Sequence, residues 1–97
     1  MNAEKVVWKV LAYMVKDSGR VFERISKTKF MKAYHELVRK GKIPYLKEET
    51  ITRTLRRLAR QGSEPYGTLP IKYLDRKKGV YLVEVPSVLE KAGEADD

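Results

Sequence analysis

Apolar residues recur along the first part of the chain at helical spacing. Val7, Val10, Leu11 and Met14 stand at i, i+3, i+4 and i+7, which predicts a first helix over residues 3–17 with these four on one face. Trp8, Ala12 and Val15 widen the stripe on one side, and Val6 and Tyr13 lie towards the other. The helix is then apolar over more than half its circumference, more than one small domain usually needs. It is either the central helix of the core or part of a contact between subunits. Asp17-Ser18-Gly19 ends it, and residues 20–25 can form a short strand. Ser26 suits the N-cap of a second helix running to about Lys40, with Phe30, Tyr34, Leu37 and Val38 as its buried stripe and Gly41 as its terminator. A connector follows over residues 41–46, where Pro44 forbids continuous helix and Ile43 and Leu46 turn inward.

The third helix, Lys47–Gln61, has the sharpest division of faces. Ile51, Leu55 and Leu58 form one narrow apolar stripe. Arg53, Arg56, Arg57 and Arg60 fall on the opposite side, with Glu49 the one acid among them. Gly62 offers a stop. A Gly- and Pro-rich loop over residues 62–70 leads to two strands, Ile71–Asp75 and Val80–Val85. Residues 76–79, Arg-Lys-Lys-Gly, make the turn between them, with Gly79 suited to a positive φ. Val80 and Leu82 alternate with Tyr81, Val83 and Val85, so both faces of the last strand are apolar. One covers the core; the other is left for the 62–70 loop or a second subunit. Pro86 ends the sheet, because it cannot donate to a ladder. Ser87–Lys91 adds a helical turn before a loose acidic end. Residues 1–86 then form one domain and residues 87–97 an acidic tail.

Charge sharpens this picture. The net charge of the 97 residues is +8, and residues 86–97 hold one lysine against four carboxylates, so residues 1–85 carry about +11. A surface of this kind attracts polyanions, nucleic acid first and an anionic membrane second; the bland reading is a solvated charged surface. The absence of cysteine excludes disulfides and thiolate metal sites and fits a reducing, cytoplasmic location. No apolar run approaches the roughly 20 residues of a membrane span, and the N-terminus lacks a signal-peptide core. The chemistry-bearing residues assemble no enzyme site. His35 stands alone beside a core stripe, Glu48 and Glu49 suit the positive end of a helix dipole, and the glycines are too scattered for a phosphate loop. No catalytic residue, metal ligand or cofactor is expected.

The residues 48–62, EETITRTLRRLARQG, resemble the recognition helix of many winged helix-turn-helix regulators. KKGVYLVEV, residues 77–85, is similar to the return strand of a wing. The order helix, short strand, helix, helix, hairpin matches that family over about residues 3–85, and the pattern resembles small regulators of phages and of archaeal viruses or plasmids. The resemblance implies an α+β fold of three helices, a C-terminal two-stranded β wing and a short strand after the first helix. It also implies sequence-specific binding of double-stranded DNA by a transcriptional regulator. A winged-helix protein-interaction module in a replication or transcription complex is the alternative.

Within that reading the candidate DNA-binding residues are Thr50, Thr52, Arg53, Arg56, Arg57 and Arg60 on the third helix and Arg76, Lys77 and Lys78 at the wing tip. Lys27 and Lys29, with Lys32, join them at the start of the second helix. Several have a structural alternative. Thr50 can cap the helix, Arg60 can complement its C-terminal dipole, and a basic hairpin tip can simply keep an edge soluble. The apolar surplus of the first helix leads to the expectation of a homodimer that pairs first helices, aided by Val88 and Leu89, on a near-palindromic site.

Overall fold

The computed structural model describes residues 1–94. Helix α1 (Ala3–Val15) begins where Asn2 caps it, the side-chain oxygen accepting from the Lys5 amide at 2.9 Å. Strand β1 (Phe22–Ser26) runs into α2 (Lys27–Arg39), whose cap is the predicted Ser26, accepting from the Lys29 amide at 3.1 Å. Gly41 closes α2 as expected. Its φ of 72° lets the Lys42 amide reach the Leu37 carbonyl and the Gly41 amide the Val38 carbonyl, a Schellman end.

The connector to α3 (Glu48–Gly62) is clamped by one buried side chain. The Tyr34 hydroxyl donates to the Leu46 carbonyl and accepts from the Leu46 amide, satisfying both backbone groups of a single residue. Ile43 is buried and Leu46 packs against the core, as their apolar character requires. His35 bonds Glu48 through Nε2 at 2.6 Å and ties α2 to the first turn of α3.

Strands β2 (Ile71–Asp75) and β3 (Val80–Glu84) form the hairpin. The sheet is antiparallel in the order β1-β3-β2. Ile71, Tyr81, Val83 and Ile25 point inward onto the helices. The outer face, with Phe22, Arg24, Lys72 and Leu74 exposed, stays open.

Two expectations change. Gly62 is not a positive-φ stop; it is the last residue of α3, and the helix is followed by Ser63 in right-handed conformation. Glycine stands there because β2 passes close by: a Cβ on Gly62 would lie 1.8 Å from the Ile71 carbonyl oxygen. Among the described residues the helices number four, not three. Residues 85–94 form α4 (Val85–Glu94), where the sequence pattern promised one turn. Pro86 ends the sheet but also suits a helix entrance, where a missing N–H costs nothing. Val85, Val88 and Ala92 bury themselves, and α4 packs on α1.

That packing absorbs the apolar surplus of α1. Val6, Val7, Trp8, Val10, Leu11 and Val15 are all buried within one chain, between α2, α3 and α4. The expected pairing of first helices therefore loses the exposed apolar surface from which it was argued. Val88 is likewise internal, and Leu89 is the exposed member of the pair.

The two glycines at helix ends make a controlled comparison. Gly62→Ala should lower unfolding stability by more than about 2 kcal/mol in urea titration, because backbone has to move. Gly93→Ala, where a Cβ meets nothing within 4 Å, should raise it by about 0.5–1 kcal/mol. Equal effects would show that β2 does not cross α3 at Gly62.

Candidate nucleic-acid interface

The polar face of α3 and the β2–β3 hairpin form the two walls of an open groove of about 750 Å3. Arg53, Arg56, Arg57 and Arg60 line one wall, and Arg76, Lys77, Lys78 and Gly79 the other. Lys27 closes one side, and Tyr73 and Tyr81 also line the groove. The geometry follows from the local sequence. The Ile51–Leu55–Leu58 stripe is fully buried, so helical spacing turns the four arginines outward together.

The hairpin is held against this helix at several points. Ser63 accepts the Tyr73 amide at 2.9 Å while donating to the Ala59 carbonyl at 2.7 Å, linking β2 to the end of α3. The Tyr73 hydroxyl reaches the Arg56 carbonyl at 3.4 Å. At the tip, the Gly79 carbonyl accepts the Lys27 amide at 2.8 Å, so the turn is pinned to the start of α2. Gly79 has the predicted positive φ, 65°, and a Cβ there would press on Lys27 Cβ at 3.2 Å. Asp75 accepts from the Lys78 amide and shapes the turn.

Eight of the twelve candidate residues thus meet in one groove: Lys27, Arg53, Arg56, Arg57, Arg60, Arg76, Lys77 and Lys78. The other four do not line it. Lys29 is exposed on the first turn of α2 and Lys32 on the second. Thr50 is no cap, since Lys47 holds that position, and its carbonyl accepts the Thr54 hydroxyl at 2.8 Å. The Thr52 hydroxyl turns back to the Glu49 carbonyl at 3.2 Å.

Glu49 pairs with Arg53 at 2.5 Å across one helical turn. Both side chains are mostly exposed, so the pair is worth at most about 1 kcal/mol and Arg53 can exchange the carboxylate for a phosphate.

Sequence reasoning missed the aromatic floor. Tyr73 and Tyr81 face each other across the hairpin and stack with centroids 5.4 Å apart, and the Arg76 guanidinium lies 5.1 Å above the Tyr73 ring. Their pairing depends on an irregularity. The register shifts by one between Tyr73 and Asp75, leaving Leu74 as an extra, exposed residue. Without the shift, Tyr73 would sit opposite Leu82 on the outer face.

Chemically, the groove offers five guanidiniums and three ammoniums, with Glu49 beside Arg53 as the ion-paired acid. Arginine forks onto phosphate and onto the guanine edge, and lysine supplies point charge. Among the described residues there is no cluster of His, Cys, Asp or Glu that could hold a metal ion, and no helix long and apolar enough to cross a membrane. Comparison with family models, with curated proteins and with solved structures returned no match.

Tyr81 reports on the floor. Burial, then the neighbouring Tyr73 phenol, pushes its pKa up to about 12, with Arg56 pulling the other way. Because the folded value is raised, the stabilisation is complete below the ordinary tyrosine pKa of about 10 and is lost as pH rises towards about 12. Tyrosinate absorbance should show one transition near pH 12 that Tyr81→Phe removes. A Tyr81 transition near pH 10 would mean that the ring is not buried.

Proposed function

We propose that this chain is a winged helix-turn-helix domain that binds double-stranded DNA sequence-specifically, as a transcriptional regulator does. The observation that carries the reading is the convergence of eight cationic side chains from α2, α3 and the hairpin on one open groove. The element order α1-β1-α2-α3-β2-β3 and the sheet order β1-β3-β2 support the family resemblance, with α4 as an addition.

In this reading α3 enters the major groove. Arg53, Arg56 and Arg57 lie in its first ten residues, the part of a recognition helix that approaches base edges. Arg60, nearer the C-terminus, meets the backbone. The hairpin turn is only four residues long and is pinned to α2, so it acts as a rigid phosphate clamp beside the helix. Lys27 stands where α2 crosses the same backbone. Specificity then comes from the arginines of α3, and most of the affinity from released counterions. Eight phosphate contacts would give a log–log salt slope of about −7, and each arginine turned from phosphate to base makes it shallower.

Arg57→Ala should weaken binding to a selected duplex by about 1–3 kcal/mol and relax the preference at one base position. Its stability in urea should match the parent's, because Arg57 is exposed. Parent-like binding of a selected site would remove Arg57 from base reading.

Neutralising Arg76, Lys77 and Lys78 to Gln tests the clamp. Affinity should fall for all duplexes alike, and the salt slope should flatten by up to about three units while base preference survives. A duplex affinity independent of salt in the parent would instead favour an acidic protein surface as the partner.

A further inference from the structure

A second cationic depression lies elsewhere on the molecule and plays no part in the groove just described. It has a volume of about 380 Å3 and opens between α1 and the end of α2. Lys9 borders it from α1 and Lys16 from the C-cap of that helix, and Lys40 and Lys42 border it from the segment that closes α2. Tyr13 stands between them, with Lys16 Nζ 5.0 Å and Lys40 Nζ 5.5 Å from its ring centre. No residue is shared with the α3–hairpin groove. Lys27 begins α2 at the first groove and Lys40 caps its other end, so the thirteen residues of α2 separate the two clusters by roughly 20 Å.

The chemistry of this depression differs from that of the first. All four of its cations are lysines, whereas five of the eight in the groove are arginines. Lysine is a hydrated point charge suited to phosphate at any sequence; arginine supplies the fork that reads bases. The Tyr13 ring already carries two ammoniums, which suits neither a stacked base nor an aromatic peptide side chain. The apolar floor, Leu37 and Ile43, is buried and leaves little surface for the hydrophobic face of an acidic peptide. Lys40 meets Glu36 at 3.1 Å and the Tyr13 hydroxyl at 3.3 Å, and these contacts hold its pKa above the usual lysine value, so it stays charged. What remains is a sequence-blind cluster of lysines suited to a phosphate backbone.

We propose that the Lys9–Lys16–Lys40–Lys42 cradle binds the phosphate backbone of a second duplex, so that one chain bridges two DNA segments. The inference rests on the DNA-binding reading of the α3–hairpin groove. Its consequence is architectural: a chain seated on its site by α3 recruits a neighbouring segment without regard to sequence.

The test uses the full chain, a short biotinylated duplex on beads and a short fluorescent duplex in solution. The parent should retain the fluorescent duplex on the beads, in a salt-sensitive manner, while light scattering gives the 11.3 kDa mass of a single chain. K16Q/K42Q, two changes at exposed positions, should cut bridging by at least about tenfold while leaving affinity for one duplex within about threefold of the parent. Bridging that survives in K16Q/K42Q would overturn the cradle and point to a second copy of the chain. Loss of single-duplex affinity in that variant with no bridging by the parent would also overturn it, because one duplex would then touch both clusters. Retention of a polyglutamate peptide but no second duplex would overturn it in favour of a protein partner. If the parent binds a single duplex normally but does not bridge, the cradle fails and the function of the groove stands. Failure to bind any duplex would remove both.

Discussion

Gly62 meets the backbone of Ile71 so closely that no side chain fits between them, and the placement of the hairpin follows from that approach. Ser63, one residue on, takes the amide of Tyr73 and fixes the middle of β2 against the end of α3. The loop between them folds back as well, since a Cβ on Gly67 would lie 2.5 Å from the Gln61 carbonyl. Two cationic walls are thereby held face to face against their mutual repulsion. The layer beneath supplies the opposing force. Ile51, Leu55 and Leu58 under α3 and Ile71, Tyr81 and Val83 under the hairpin are all buried. Burial contributes about 1.5–3 kcal/mol per large aliphatic side chain. Two exposed like charges 4 Å apart in water repel by only about 1 kcal/mol. The apolar layer wins, and the groove persists as a concentrated positive field open to solvent.

The orientation of α3 is fixed from its other end by a polar device. Tyr34 binds both backbone groups of Leu46, and His35 on the same helix reaches Glu48. Consecutive residues of α2 therefore hold the connector and the first turn of α3, compensating for a helix start with no side-chain cap. Below this, α1 is the hub. It touches each of the other helices, and its wide apolar surface is the reason α4 is part of the fold rather than a tail. A helix with such a surface requires cover, and the last described segment of the chain provides it.

Much of the candidate site was legible from periodicity alone. The spacing of Ile51, Leu55 and Leu58 dictates which side of α3 is buried, and so which side Arg53, Arg56, Arg57 and Arg60 must occupy. Gly79 and the basic residues before it mark the hairpin turn in the same way, and both marks agree with the observed backbone. Thr50, Thr52 and Lys29 lie outside the groove for local reasons. Threonine hydroxyls within a helix find backbone carbonyls of the preceding turn, as Thr52 and Thr54 do, and Lys29 stands two residues further along α2 than Lys27.

What the sequence determined by itself was local and periodic: the caps at Ser26 and Gly41, the amphipathic faces of α1, α2 and α3, the hairpin and the sign of its charge. These depend on residues within a few positions of one another, where helical and strand geometry leaves few choices. The tertiary structure alone decided the rest. Gly62 reads as a helix stop until β2 is seen to cross it. Pro86 reads as an end until α1 offers Val88 and Ala92 a surface. Tyr73 and Tyr81 share a face only because the strands slip by one at Leu74, and a one-residue slip inverts every side chain beyond it. Each outcome was set by a contact between residues distant in the chain, whose cost and gain are not written in either segment separately.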